Sequence, residues 1–161
     1  MTRERKQKPT GSQEIRVKLQ HFCAYQERSH QDVKDKLSEL GVYGPPADAI
    51  ISSLITDGFL NEERFAKAFA GGKFRMQKWG RNKIIYALES HGLTANCINL
   101  GLKEIDERDY RKTLLGIIRK KITQSGENNP FKKRSLISRY AISRGFEPDL
   151  VWEIVKEELS T

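Results

Sequence analysis

The chain reads as an all-α protein, a tandem array of three three-helix repeats forming an elongated, curved rod. Three observations predict this. Apolar residues recur at helical spacing almost throughout, and no window alternates with period two for long enough to make a strand. Glycines, prolines and short polar residues punctuate that pattern where helices should start and stop. Aligning three helix-ending glycines, Gly41, Gly92 and Gly145, brings residues of like character onto one another.

The elements follow in order. Ile15, Leu19, Phe22, Cys23 and Gln26 trace one face of a helix over 13–26. Ser29 with Asp32 resembles a reciprocal capping pair and opens 29–40, which Gly41 closes. Pro45 and Pro46 open 47–56, since proline suits a first helical turn. Asn61 is the N-cap residue of 61–77, where Phe65, Phe69, Gly72 and Met76 recur at i, i+4, i+7 and i+11. The next helix spans 80–91 and stops at Gly92; Thr94 then caps 94–104, and a further helix covers 107–123. Residues 123–130, Thr-Gln-Ser-Gly-Glu-Asn-Asn-Pro, form a polar linker. Helices over 131–144, closed by Gly145, and 147–159, with Leu150, Val151, Ile154, Val155 and Leu159 on one stripe, complete the chain.

The repeat is visible residue by residue. Eight positions before the three glycines stand Val33, Ile84 and Ile137; four before stand Leu37, Leu88 and Ala141; one after stand Val42, Leu93 and Phe146. After three extra residues in the first copy, Asp48, Ala49 and Ile50 fall on Asn96, Cys97 and Ile98 and on Asp149, Leu150 and Val151. The expected division is a basic N-terminal tail at 1–12 and repeats at 13–57, 58–105 and 106–161. A unit this small rarely sustains a core alone, so the three should stack and be stable mainly as a set.

Composition narrows the function. The chain has 161 residues, 37% hydrophobic and 31% charged, the balance of a folded, highly charged protein. No run approaches the roughly 20 apolar residues of a spanning helix, so no membrane partner is expected. The start, Met1 to Pro9, lacks a secretory apolar stretch, which makes the cytoplasm the expected location. Cys23 and Cys97 read as reduced, buried small hydrophobes. The net charge of +8 is clustered. Residues 74–91 carry +3, 116–145 carry +7 and 146–161 carry −4, so two basic blocks flank a neutral one and an acidic end follows. Such clustering suits an anionic partner, most often nucleic acid.

The residues give catalysis little support. Gly71-Gly72-Lys73 is no phosphate loop, because Lys67 stands at the first glycine position and Phe74 replaces the Ser or Thr. His21, His30 and His91 have no metal spacing, and neither a metal nor a cofactor is expected. Gly71 and Gly72 inside a helix imply a close helix crossing or a local break, or else a place where a partner approaches. The first basic block places Lys73, Arg75, Lys78, Arg81 and Lys83 within eleven residues without one acid among them. The second places Arg119, Lys120, Lys121, Lys132, Lys133, Arg134 and Arg139 against a single Glu127, with Arg144 following. These are the candidate contacts to nucleic acid or to a filament, displayed at separated stations. Trp79 is either a base-stacking platform or a packed bridge between helices. Trp152 lies off the apolar stripe of the last helix and either covers the neighbouring unit or is exposed for a protein contact.

Leu60-Asn61-Glu62-Glu63-Arg64-Phe65-Ala66-Lys67-Ala68-Phe69, then Lys73-Phe74-Arg75 and Trp79-Gly80-Arg81-Asn82-Lys83-Ile84, resemble the central motif of the RecX regulatory family. Ser29 to Leu37 and Ser143-Arg144-Gly145-Phe146 fit that family's flanking repeats. The resemblance covers about residues 13 to 159 and implies tandem three-helix units. It also implies a cytoplasmic, non-enzymatic monomer that binds the RecA recombinase and its nucleoprotein filament. Such a protein restrains filament growth, ATP hydrolysis, strand exchange and coprotease activity, touching single- or double-stranded DNA. Two alternatives stand beside it: a DNA-binding module without recombinase specificity, and a protein adaptor with no DNA contact.

Overall fold

The computed structural model describes residues 11–160, so residues 1–10 of the expected basic tail lie outside it. Among the described residues there are nine α-helices and no strand. They are α1 Ser12–Tyr25, α2 His30–Glu39, α3 Gly44–Thr56, α4 Glu62–Gln77, α5 Arg81–Ser90, α6 Ala95–Leu102, α7 Glu107–Gln124, α8 Pro130–Ser143 and α9 Pro148–Leu159. The expected starts hold. Ser29 and Asp32 form a capping box, Pro45 and Pro46 sit in the first turn of α3, and the Asn61 and Thr94 side chains accept from the backbone of Arg64 and Cys97.

The repeat is physical as well as statistical. In all three copies the middle helix ends with a glycine in the left-handed region, at φ +77° for Gly41, +78° for Gly92 and +99° for Gly145. The next residue's N–H reaches back to the last buried residue of the helix: Val42 to the Leu37 carbonyl at 2.9 Å, Leu93 to Leu88 at 3.2 Å, Phe146 to Ala141 at 3.3 Å. The glycine N–H bonds one residue further on, to Ser38, Glu89 and Ile142. That pair of bonds satisfies carbonyls the helix end would otherwise orphan. Val33, Ile84 and Ile137, and Leu37, Leu88 and Ala141, are fully buried, as their shared register demands.

The three units nevertheless make two cores. Ile15, Leu19, Val33, Leu37, Ile50 and Leu54 fill the first, which also takes in Leu60 and, at its edge, Phe59, residues assigned from sequence to the second unit. The second core is continuous from α4 to α9, running from Phe65 and Ile84 through Tyr110 and Ile118 to Ile137, Phe146 and Val155. The first unit meets the second through polar contacts. The His30 N–H donates to Glu62 Oε2 at 3.1 Å, Arg64 Nε donates to Glu27 Oε1 at 2.6 Å, and His91 Nδ1 lies 3.3 Å from Ser29 Oγ and 3.5 Å from Asp32. The apolar surfaces of the second and third units thus merge, while the first unit keeps a core of its own.

Two details of α4 differ from expectation. Its buried stripe is Phe65, Ala66, Ala70, Gly71 and Phe74, and Met76 is 86% exposed, because the stripe turns away from the i+11 position. The helix runs unbroken through Gly71 and Gly72, and neither marks a helix crossing. A Cβ at Gly72 would meet open space, and one at Gly71 only the flexible Arg75 guanidinium. The close approaches lie elsewhere. A Cβ at Gly101 would come within 2.7 Å of the Ala66 carbonyl oxygen where α6 crosses α4, and Gly80 and Gly145 face each other directly.

Candidate nucleic-acid and partner interface

The α4–α5 turn and the α8–α9 turn are locked together by backbone. The Gly80 N–H donates to the Arg144 carbonyl and the Asn82 N–H to the Gly145 carbonyl, each at 2.8 Å. Beside this clamp, Tyr110 of α7 is fully buried; its hydroxyl accepts from the Arg81 N–H at 3.0 Å and donates to Glu147. Burial, then the Glu147 carboxylate, push the Tyr110 hydroxyl's pKa well above its ordinary range. Arg81 Nη1 bonds Glu147 at 2.9 Å, Nη2 bonds Glu107, and the guanidinium lies 3.8 Å over the Tyr110 ring. Burial opposes the charge on Arg81, but the two carboxylates outweigh it and hold the group firmly protonated.

This clamp positions the cations. Lys78 takes a left-handed conformation, φ 54°, at the end of α4. It thereby joins Lys120, Lys121 and Gln124 of α7, Tyr140 of α8, and Arg144 around a cleft of about 190 Å³ floored by Ile117. Arg144 Nη2 also donates to the Gln77 carbonyl, which ties the guanidinium to the α4 terminus. Lys121 Nζ sits 4.3 Å over the Tyr140 ring. Lys78 from the first block thus meets Lys120 and Lys121 from the second, with Arg144 beside them, although the two blocks are expected at separated stations. A cleft with four cations, an aromatic face and an amide can take phosphates with a base stacked beside them.

The other predicted residues divide into four groups. Lys73 and Lys83 flank Trp79, at 4.9 and 4.6 Å from its ring, and Trp79 packs edge-on to Phe69, so this tryptophan bridges helices. Arg81 is committed to the internal network, with its side chain only 21% exposed. Arg119 is exposed but doubly bonded to Glu158, at 3.0 and 3.1 Å, which holds that carboxyl below its usual range. Arg75, Lys132, Arg134 and Arg139 are exposed, and Lys133 is half-buried. Sequence reasoning missed Tyr140, Gln124 and the Tyr110–Glu147 pair; only the glycines of Trp79-Gly80 and Arg144-Gly145 hinted that these turns meet. Cys23 is buried and Cys97 half-buried, and burial raises the Cys23 thiol's pKa. Among the described residues no group of His, Cys, Asp and Glu is placed to hold a metal, and no helix is long and apolar enough to cross a membrane.

Fold and cleft together define a tandem three-helix-repeat protein that presents a basic groove where two repeats join. Comparison with known proteins agrees with the motif. The family described as RecX, second three-helix domain, matches residues 61–102. The chain is 27% identical over 135 residues to the regulatory protein RecX of Clostridium botulinum (strain Eklund 17B / Type B), covering 83% of this chain and 63% of that one. It is 29% identical over 131 residues to that of Clostridium perfringens (strain 13 / Type A), covering 80% of this chain and 61% of that one. The chain therefore spans somewhat under two thirds of the length of these relatives. The crystal structure of RecX from Lactobacillus salivarius superimposes with a TM-score of 0.82 at 19% identity, covering 91% of this chain and 95% of that one. A second RecX crystal structure gives 0.81 at 15% identity, covering 91% and 71%. The chain is thus similar to RecX regulatory proteins over most of its length, and its residues 61–102 match that family's second three-helix domain.

Proposed function

We propose that the chain is a non-enzymatic, monomeric cytoplasmic regulator that binds the RecA recombinase filament and restrains its ATPase, strand-exchange and coprotease activities, touching DNA as it does so. Recombination, repair and the SOS response are the processes it would then adjust. The observation that carries this reading is the convergence of Lys78 with Lys120, Lys121 and Arg144 in a cleft between two repeats. A helical filament offers regularly spaced phosphates beside protein, and a repeat array with cations held at its joints is suited to meet both. Lys73, Arg75 and Lys83 extend the cationic surface from the second unit, and Lys132, Lys133, Arg134 and Arg139 extend it along α8; Arg81 serves by holding the joint closed.

The test is RecA ATPase on single-stranded DNA with the protein added. Inhibition that is lost on changing Lys78 and Lys121 together to Glu supports the proposal, and no inhibition at several-fold excess over filament ends sinks it. The same cleft also favours a second reading, a DNA-binding module without recombinase specificity. In that case any effect on RecA vanishes once competing DNA is saturating, while DNA binding itself persists.

A further inference from the structure

A second opening lies between α8 and α9, lined by Arg134, Ser135, Ser138, Arg139, Ile142 and Trp152, with a volume of about 340 Å³. Trp152 is 54% exposed while its neighbours Val151, Ile154 and Val155 are buried, so the indole faces outward from a helix whose other apolar residues point in. Arg134 and Arg139 border the opening, are exposed, and form no ion pair among the described residues, unlike Arg81 and Arg119. An exposed tryptophan beside two unpaired guanidiniums has the make-up of a protein-binding anchor point.

We propose that this groove docks a short acidic peptide segment carrying a large apolar side chain. The apolar group lies against Trp152 and Ile142, and flanking carboxylates meet Arg134 and Arg139, whose planar groups suit two-pronged carboxylate contacts. Charge selects a peptide over nucleic acid. Asp149 and Glu153 stand three residues before and one after Trp152, both exposed, on a helix whose segment 146–161 is net −4. A phosphate chain continuing past the indole would run into those carboxylates, whereas a short peptide needs only the two arginines. The groove shares no residue with the Lys78–Lys121 cleft; Arg134 and Arg139, which the functional reading counts with the cationic face of α8, here take carboxylates, and the proposal stands whether or not the recombinase supplies the segment.

The experiment uses the full chain and three fluorescein-labelled probes: a short peptide of Asp and Glu with a central Leu-Phe pair, the same peptide with Ser-Ser at its centre, and a single-stranded oligonucleotide. The Leu-Phe peptide binds at least about tenfold more tightly than the Ser-Ser one, and Trp152→Ala or Arg139→Glu each weakens it about tenfold. Trp152→Phe restores most of the affinity, and melting curves of all three variants match the parent because the residues are exposed. Changing Lys120 and Lys121 together to Ala leaves peptide binding within about threefold but weakens the oligonucleotide more strongly. Equal binding of the two peptides, or binding insensitive to Trp152→Ala, overturns the proposal. So does a loss of oligonucleotide binding in Trp152→Ala as large as the peptide's, which would give the groove to nucleic acid. Failure to inhibit RecA changes none of these readouts, so the two proposals fall independently.

Discussion

Gly80 and Gly145 face each other with no room for a side chain between them, so that the second and third repeats are joined through main chain. A Cβ on Gly80 would overlap the Gly145 carbonyl carbon and the Phe146 nitrogen, and neither is the free end of a flexible side chain. The expected consequence is that Gly80→Ala separates the two turns, breaks the paired 2.8 Å hydrogen bonds and costs about 2–3 kcal/mol. Thermal unfolding should fall by roughly 4–12 °C. An unchanged midpoint would mean that the turns do not meet in solution.

Gly72→Ala should act in the opposite direction. It lies in the interior of α4 with open space where the methyl would go, so the substitution removes unfolded-state entropy and raises stability by about 0.5–1 kcal/mol. The same variant decides why a glycine stands there: stabilisation with the proposed RecA inhibition intact means that no partner needs the gap, and stabilisation with that inhibition lost relative to the parent means that one does.

These two glycines show where the sequence was legible. Helix ends came from local rules, since Ser29 with Asp32, Pro45, Asn61, Thr94 and the left-handed Gly41, Gly92 and Gly145 each act within one turn of themselves. The repeat came from the same source, because each copy closes its middle helix with the same pair of hydrogen bonds. The joint could not be read that way. Gly80 is an N-cap in its own helix, and its need for a missing side chain arises from Gly145, in another repeat. The meeting of Lys78 with Lys121, and the withdrawal of Arg81 into a bond with Glu147, follow from that joint and were equally hidden.

Tyr110→Phe tests the buried part of the joint. The hydroxyl satisfies both the Arg81 N–H and a Glu147 oxygen, and its removal leaves two polar groups short of partners in a half-buried setting. A loss of about 1–3 kcal/mol is expected, read by chemical denaturation at neutral pH. Because the same bonds hold Lys78 near α7, weaker oligonucleotide binding should accompany the loss of stability.

Acid should loosen the exposed side of that network. The hydrogen bond from Arg81 holds the Glu107 carboxyl below its ordinary 4.5. A carboxylate with a lowered folded pKa stabilises fully above its unfolded value and loses that contribution as pH falls through the folded one. Glu107 is mostly solvated, so screening limits the contact to about 0.5 kcal/mol or less. The parent chain should therefore melt about 1–2 °C above Glu107→Gln at pH 7, and the gap should close below pH 4.5. A gap that does not shrink at all as the pH falls below 4.5 would assign the effect to something other than the ion pair.

The balance of charge on α7 gives the last prediction. Arg119 stands next to Lys120 and Lys121 but is held by both oxygens of Glu158, so it is withheld from any phosphate approaching the cleft. Glu158→Gln removes that competitor without adding a cation. Phosphate contacts release counterions, so each additional one steepens the dependence of log affinity on log salt by about 0.7 on a single strand. Oligonucleotide binding by Glu158→Gln should accordingly tighten several-fold at low salt and show a slope steeper by about that amount, while Lys120→Ala with Lys121→Ala should flatten it by roughly twice as much. Tighter binding with an unchanged slope would place Arg119 outside the phosphate path, and the gain would then come only from removing a repelling carboxylate.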